Sequence, residues 1–103
     1  MKLRYTPHAS RQLGRIARYI RESSPAAARQ VSRRIRNAAK LLSEFPDLGH
    51  TGTLDGTKEL VVPGLPYVIV HRVEPHQPDV LTVLAIYHGA QLRPGQSRPT
   101  DDP

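Results

Sequence analysis

The stretch "GTKELVVPGLPYVIVHRV", Gly56 to Val73, constrains this chain more than any other. Two runs rich in Val, Leu and Ile flank Pro63-Gly64-Leu65-Pro66. β-branched residues fit a pleated surface, and the Pro/Gly tetrad supplies turn chemistry. The spacing predicts a β-hairpin with strands near 57–62 and 67–73, Val62 opposite Tyr67. A third apolar run, "VLTVLAIYH" (Val80 to His88), follows the polar segment "EPHQPD". It predicts a further strand joined by a six-residue turn, with Val73 opposite Val80.

Upstream the period changes. "KLRY" (Lys2 to Tyr5) alternates polar and apolar and predicts a short strand. Thr6-Pro7 and Ser24-Pro25 each place a capping hydroxyl before a proline at the first helical position. After the first, Ala9, Leu13, Ile16, Ala17 and Ile20 share one helical face. After the second, Ala28, Val31, Ile35, Ala38, Leu42 and Phe45 do so, and the helix should end near Ser43, before Pro46. Gly14 weakens the first helix and leaves room for a close approach by the second. A loop this short makes the helices antiparallel neighbours. The expected fold is α+β, in the order β-α-α-β-β-β: an antiparallel sheet of about four strands with a helical hairpin on one face. Residues 1–93 make one domain, and the Pro-rich, polar residues 94–103 are expected to be a disordered tail.

Charge narrows the function. Residues 1–40 hold eleven Lys/Arg against one acid, Glu22, a net of +10; the remaining residues hold four basic and eight acidic ones, a net of −4. A basic half of this kind calls for an acidic partner. The chain lacks cysteine, which removes thiolate metal sites and disulfides and fits a cytoplasmic location. The opening "MKLRYTPHASRQL" has no apolar run, so no signal peptide is expected, and no stretch approaches the length of a membrane span. No metal site and no cofactor are expected. Loop 46–56, "PDLGHTGTLDG", has glycines but not the setting of a phosphate cradle.

Strict alternation through both hairpins divides the sheet into two faces. One carries Val61, Val68, Val70, Leu81, Val83 and Ala85, with Glu59 and Arg72 at its margin as a possible cross-strand pair, and is expected to lie under the helices. The other carries Lys58, Leu60, Val62, Tyr67, Ile69, His71, Thr82, Leu84, Ile86 and His88, and is expected to be open for a partner. An acid–base centre built on His88 with Lys58, Arg72 and Tyr87 would suit RNA cleavage by 2′-hydroxyl attack. The plainer reading makes His71 and His88 strand-end surface residues.

The order of elements resembles the RelE/ParE superfamily of toxins from bacterial type II toxin–antitoxin systems, over residues 2–94. "YTPHASRQLGRIARYI" is similar to the family's first strand and helix, and "FPDLGHTG" to its loop after the second helix. "GTKELVVPGLPYVIVHRV" resembles the central hairpin, and "VLTVLAIYHGAQLRP" the last strand and His-Gly turn. Lys58 stands where arginine is usual and His71 where tyrosine is common. The resemblance implies a toxin neutralised by a cognate antitoxin in a hetero-oligomer, the antitoxin's acidic C-terminal segment wrapping the toxin. Its expected contacts are Arg11, Arg15, Arg18, Lys58, Leu60, Val62, Tyr67, Ile69, His71, Leu84, Ile86 and His88. One branch of the family cleaves mRNA on the ribosome, which here would rely on Lys58, Arg72, Tyr87 and His88. The other, ParE-like, inhibits DNA gyrase. The hairpin has Lys58 alone as a cation before His71 and Arg72, which favours the ParE-like branch. A chain that only binds antitoxin, without toxicity, is the third reading.

Overall fold

A computed structural model describes residues 1–90; the expected tail at 94–103 lies outside them. The elements are β1 (Lys2–Tyr5), α1 (Pro7–Arg21), α2 (Pro25–Glu44), β2 (His50–Thr51), β3 (Lys58–Val61), β4 (Tyr67–Glu74) and β5 (Gln77–His88).

Both helices start where their caps place them. Thr6 Oγ1 accepts from the Ala9 amide at 3.0 Å, and Ser24 Oγ from the Ala27 amide at 3.1 Å. Each satisfies an amide that the helix start leaves without a partner. The Thr6 hydroxyl also donates to the Leu84 carbonyl at 3.0 Å, which pins the start of α1 to β5. Gly14 faces solvent with open space around it, so it provides no close helix approach. Phe45 ends α2 as its C-cap and is exposed rather than part of the buried stripe.

The sheet has five strands in the order β1-β5-β4-β3-β2. It is mixed rather than purely antiparallel, because β1 runs parallel to β5, with Leu3 beside Leu81 and Tyr5 beside Val83. The short β2, inside the expected loop, pairs with Lys58 and Glu59 of β3. The first hairpin has the expected register, with the Val62 amide donating to the Tyr67 carbonyl at 2.9 Å. The second differs. Glu74 pairs with Gln77, so its loop is two residues long rather than six, and Val73 pairs with Leu81 rather than Val80. The shift falls beside Pro78, which has no amide hydrogen to give to a ladder.

A second register shift, between Val70 and His71, leaves Leu84 as an extra residue on β5. Such a bulge breaks strict alternation. It puts Leu81, Val83 and Ile86 all in the main core with Leu60, Val62, Tyr67 and Ile69, beneath Ala9, Leu13, Ile35, Ala38, Ala39 and Leu42 of the helices. The expected faces are therefore reversed on β3 and β4. The helices cover the side bearing Leu60, Val62, Tyr67 and Ile69, which offers larger apolar groups than Val61, Val68 and Val70. Each such burial is worth roughly 1.5–3 kcal/mol. Val70, Ala85 and Tyr87 form a separate buried cluster with Leu84 on the opposite side, and Val61 is 52% exposed. Glu59 and Arg72 do not pair; Arg72 Nε donates to Glu74 at 2.8 Å.

Candidate functional site

The expected antitoxin contacts divide into groups. Ile69, His71 and Ile86 are buried on the helix-covered side and present no surface. Leu84 packs on the far side. Arg11, Arg15 and Arg18 are exposed along α1. Lys58 pairs with Asp47 at 3.2 Å. The rest line two grooves.

The first groove runs between α2 and β3. Arg34, Asn37, Ala38 and Leu41 form one wall, and Leu48, Leu60, Val62 and Pro63 the other, around about 440 Å³. Leu41 lies one position off the buried stripe of α2 and is 43% exposed. The Arg34 guanidinium donates to the Pro63 carbonyl and ties the helix to the hairpin tip. Gly64 makes this possible: its φ is +76°, and a Cβ there would sit 2.5 Å from Arg34 Nη2. Beside the groove, β2 reaches only Lys58 and Glu59, so among the described residues no strand flanks Leu60 and Val61 on the outer edge of β3.

The second groove, about 420 Å³, is lined by Arg15, Ile16 and Tyr19 of α1 with Tyr67 and His88. The Tyr67 and His88 rings meet edge to face, centroids 5.6 Å apart. His88 Nδ1 accepts from the Ala90 amide at 3.1 Å, which places the proton of the neutral ring on Nε2. Burial raises the pKa of Tyr67 above the usual phenol value, and Tyr19 adds to this.

His71 has a different character. It is only 1% exposed, and its Nε2 has no hydrogen-bond partner. Burial, with the Lys58 charge adding to it, lowers its pKa to about 4. It is a neutral core imidazole rather than a surface group.

The expected nuclease residues do not converge. Lys58 stands opposite His71, while His88 stands opposite Tyr67, four residues along β4. That is about 13 Å along the strand, with two strand spacings across it besides. Arg72 alternates to the far face and is held by Glu74, and Tyr87 is buried in the far-side cluster. Among the described residues, no three His, Asp or Glu side chains gather as metal ligands, and no helix is long and apolar enough to cross a membrane. Sequence reasoning missed Tyr19, Arg34, Leu41, Leu48 and Pro63. The signal for Leu41 and Tyr19 was an apolar or aromatic residue off the helical stripe; Arg34 gave none.

The described residues make a small basic two-layer domain with open grooves at its helix–sheet seams. The family model described as "ParE toxin of type II toxin-antitoxin system, parDE" matches residues 3–93. The protein is 37% identical over 83 residues to "Putative toxin Y4kP" of Sinorhizobium fredii, covering 81% of this chain and 85% of that one. It is 34% identical over 88 residues to "Toxin RelE2" of Caulobacter vibrioides, covering 85% and 94%. A solved structure titled "Chromosomal ParDE TA system from P. aeruginosa" superposes with a TM-score of 0.73 at 22% identity, over 85% of this chain and 95% of that one, and shares the fold. The chain belongs to the ParE toxin family of type II toxin–antitoxin systems.

Proposed function

We propose that the protein is a ParE-like toxin that inhibits DNA gyrase in the cytoplasm and is held inactive by a cognate antitoxin in a hetero-oligomer. The observation that carries gyrase over mRNA as the target is the scatter of Lys58, Arg72, Tyr87 and His88 over two faces and three strands. Proton transfer and phosphate stabilisation need those groups within hydrogen-bond reach of one another's substrate atoms.

The antitoxin occupies the groove between α2 and β3. Its apolar side chains fill the space between Leu41, Leu48, Leu60 and Val62, and its backbone extends the sheet along the free edge at Leu60 and Val61. Acidic residues of its C-terminal segment meet Arg34 at the groove and Arg11, Arg15 and Arg18 on α1.

Purified protein should stop gyrase supercoiling and accumulate cleaved DNA, and the antitoxin should reverse both. A block of translation with cut transcripts would replace this reading with the endonuclease one. Expression without antitoxin that leaves the host unharmed would leave only the binding module. Leu41→Glu should weaken antitoxin binding at least tenfold and leave the effect on gyrase intact. An unchanged antitoxin affinity would remove the groove from the account.

A further inference from the structure

A third groove runs along the seam between α1 and α2, with no strand residue in its lining. Its volume is about 610 Å³. Arg21 at the end of α1 and Arg29, Arg33 and Arg36 of α2 line it, over a floor that includes Ala17, Ala28 and Ser32. Arg21 lies in the last turn of α1, where a cation suits the helix dipole, but Arg29, Arg33 and Arg36 lack a stabilising role within α2. Its first turn has no acid, and Arg29 lies in the next turn, near the positive end of the helix dipole. Arg29 and Arg33 are four residues apart, and Arg33 and Arg36 three, spacings at which like charges destabilise a helix. The described ion pairs, Lys58–Asp47 and Arg72–Glu74, both lie elsewhere. Among the described residues, Arg36 is the one of the four with an internal contact, its guanidinium 6.0 Å from the Tyr5 ring centroid.

We propose that this groove binds the phosphodiester backbone of duplex DNA through Arg21, Arg29, Arg33 and Arg36. The chemistry selects this ligand over two other polyanions. A single strand would stack its bases on aromatic side chains, and the groove lining has none. An acidic amphipathic helix would need a deep apolar trough for its anchor residues. Here the apolar lining is Ala17, Pro25 and Ala28, whereas Leu41, Leu48 and Leu60 line the other groove, between α2 and β3. Arg29 to Arg36 spans about 10 Å along α2, and one DNA strand carries a charge every 3.4 Å or so of axis. The arginine row therefore matches the run of successive phosphates on one strand. The contact is to the backbone and carries no base preference. It does not depend on gyrase being the target, and it leaves the antitoxin groove free.

Fluorescence anisotropy of the full chain with a labelled 20-base-pair duplex, across a salt series, tests this. Four neutralised phosphates should give a slope of log K against log[salt] of about −3.6. Arg29→Ala/Arg33→Ala should bring it to about −1.8 and weaken binding equally for unrelated sequences. Arg72→Ala, on the face of the sheet away from the helices, should leave the slope unchanged. Arg36 is kept because of its contact with Tyr5, and circular dichroism confirms that each variant is folded. Absence of duplex binding at 50 mM salt would overturn the proposal, as would an unchanged slope in the α2 variant. So would a Glu-rich helical peptide that binds more tightly than the duplex and loses affinity in the same variant, which would make the groove a protein site. A single strand that binds more tightly than the duplex would also count against it.

Discussion

Acidification should destabilise this protein through His71, by an amount that can be worked out. An imidazole in the unfolded chain titrates near 6.5 and the folded one near 4. The unfolded state therefore binds the proton first as pH falls. The native state keeps its full stability above about pH 6.5 and loses it progressively toward pH 4, at up to about 1.4 kcal/mol per pH unit. By pH 4.5 the loss is about 2.5 kcal/mol. The cause is local: the ring is buried and its Nε2 unpartnered, and the Lys58 charge adds to the effect. Urea unfolding of the wild type and of His71→Leu at pH 7, 5.5 and 4.5 isolates the contribution, because every other titrating group is common to both. The variant should lose about 2.5 kcal/mol less than the wild type between pH 7 and 4.5. Equal losses in the two proteins, or an NMR titration of His71 near 6.5, would refute the reasoning.

Two further substitutions test the helical layer. Gly14→Ala should stabilise the protein by about 1 kcal/mol, because the site is helical, exposed and open; a lower melting temperature would contradict this. Thr6→Ala should cost more than Ser24→Ala, which should cost about 1 kcal/mol. The Thr6 hydroxyl both caps α1 and donates to Leu84, while Ser24 only caps α2. Denaturant unfolding should therefore rank the two variants, and equal losses would mean that the link to β5 contributes nothing.

The parts of the fold legible in the sequence were those encoded over a few neighbouring residues. Thr6-Pro7 and Ser24-Pro25 mark both helix starts, and the Pro63–Pro66 tetrad sets the first hairpin register because its turn chemistry is local. The parallel pairing of β1 with β5 joins residues nearly the whole chain apart, and nothing in "KLRY" specifies it. The bulge at Leu84 has no glycine to mark it, yet it decides which residues of β5 share a face. That single extra residue is why Leu81 and Val83 could be placed correctly under the helices while Leu60, Val62, Tyr67 and Ile69 were placed on the wrong side. The site followed the same pattern. Leu60 and Val62 do border a groove, but by lying at the seam under α2 rather than on an open sheet. The assembly of that seam from α2, the loop at Leu48 and the hairpin tip is tertiary, and so was invisible along the chain.

The brevity of β2 has a consequence for handling the protein alone. Because β2 stops after two residues, a solitary copy has, among the described residues, an unfinished hydrogen-bonding row at Leu60 and Val61, with Val61 52% exposed. Rows like this template strand-to-strand clumping between identical molecules. Val61→Lys, which puts a charge on that edge, should keep concentrated samples dispersed.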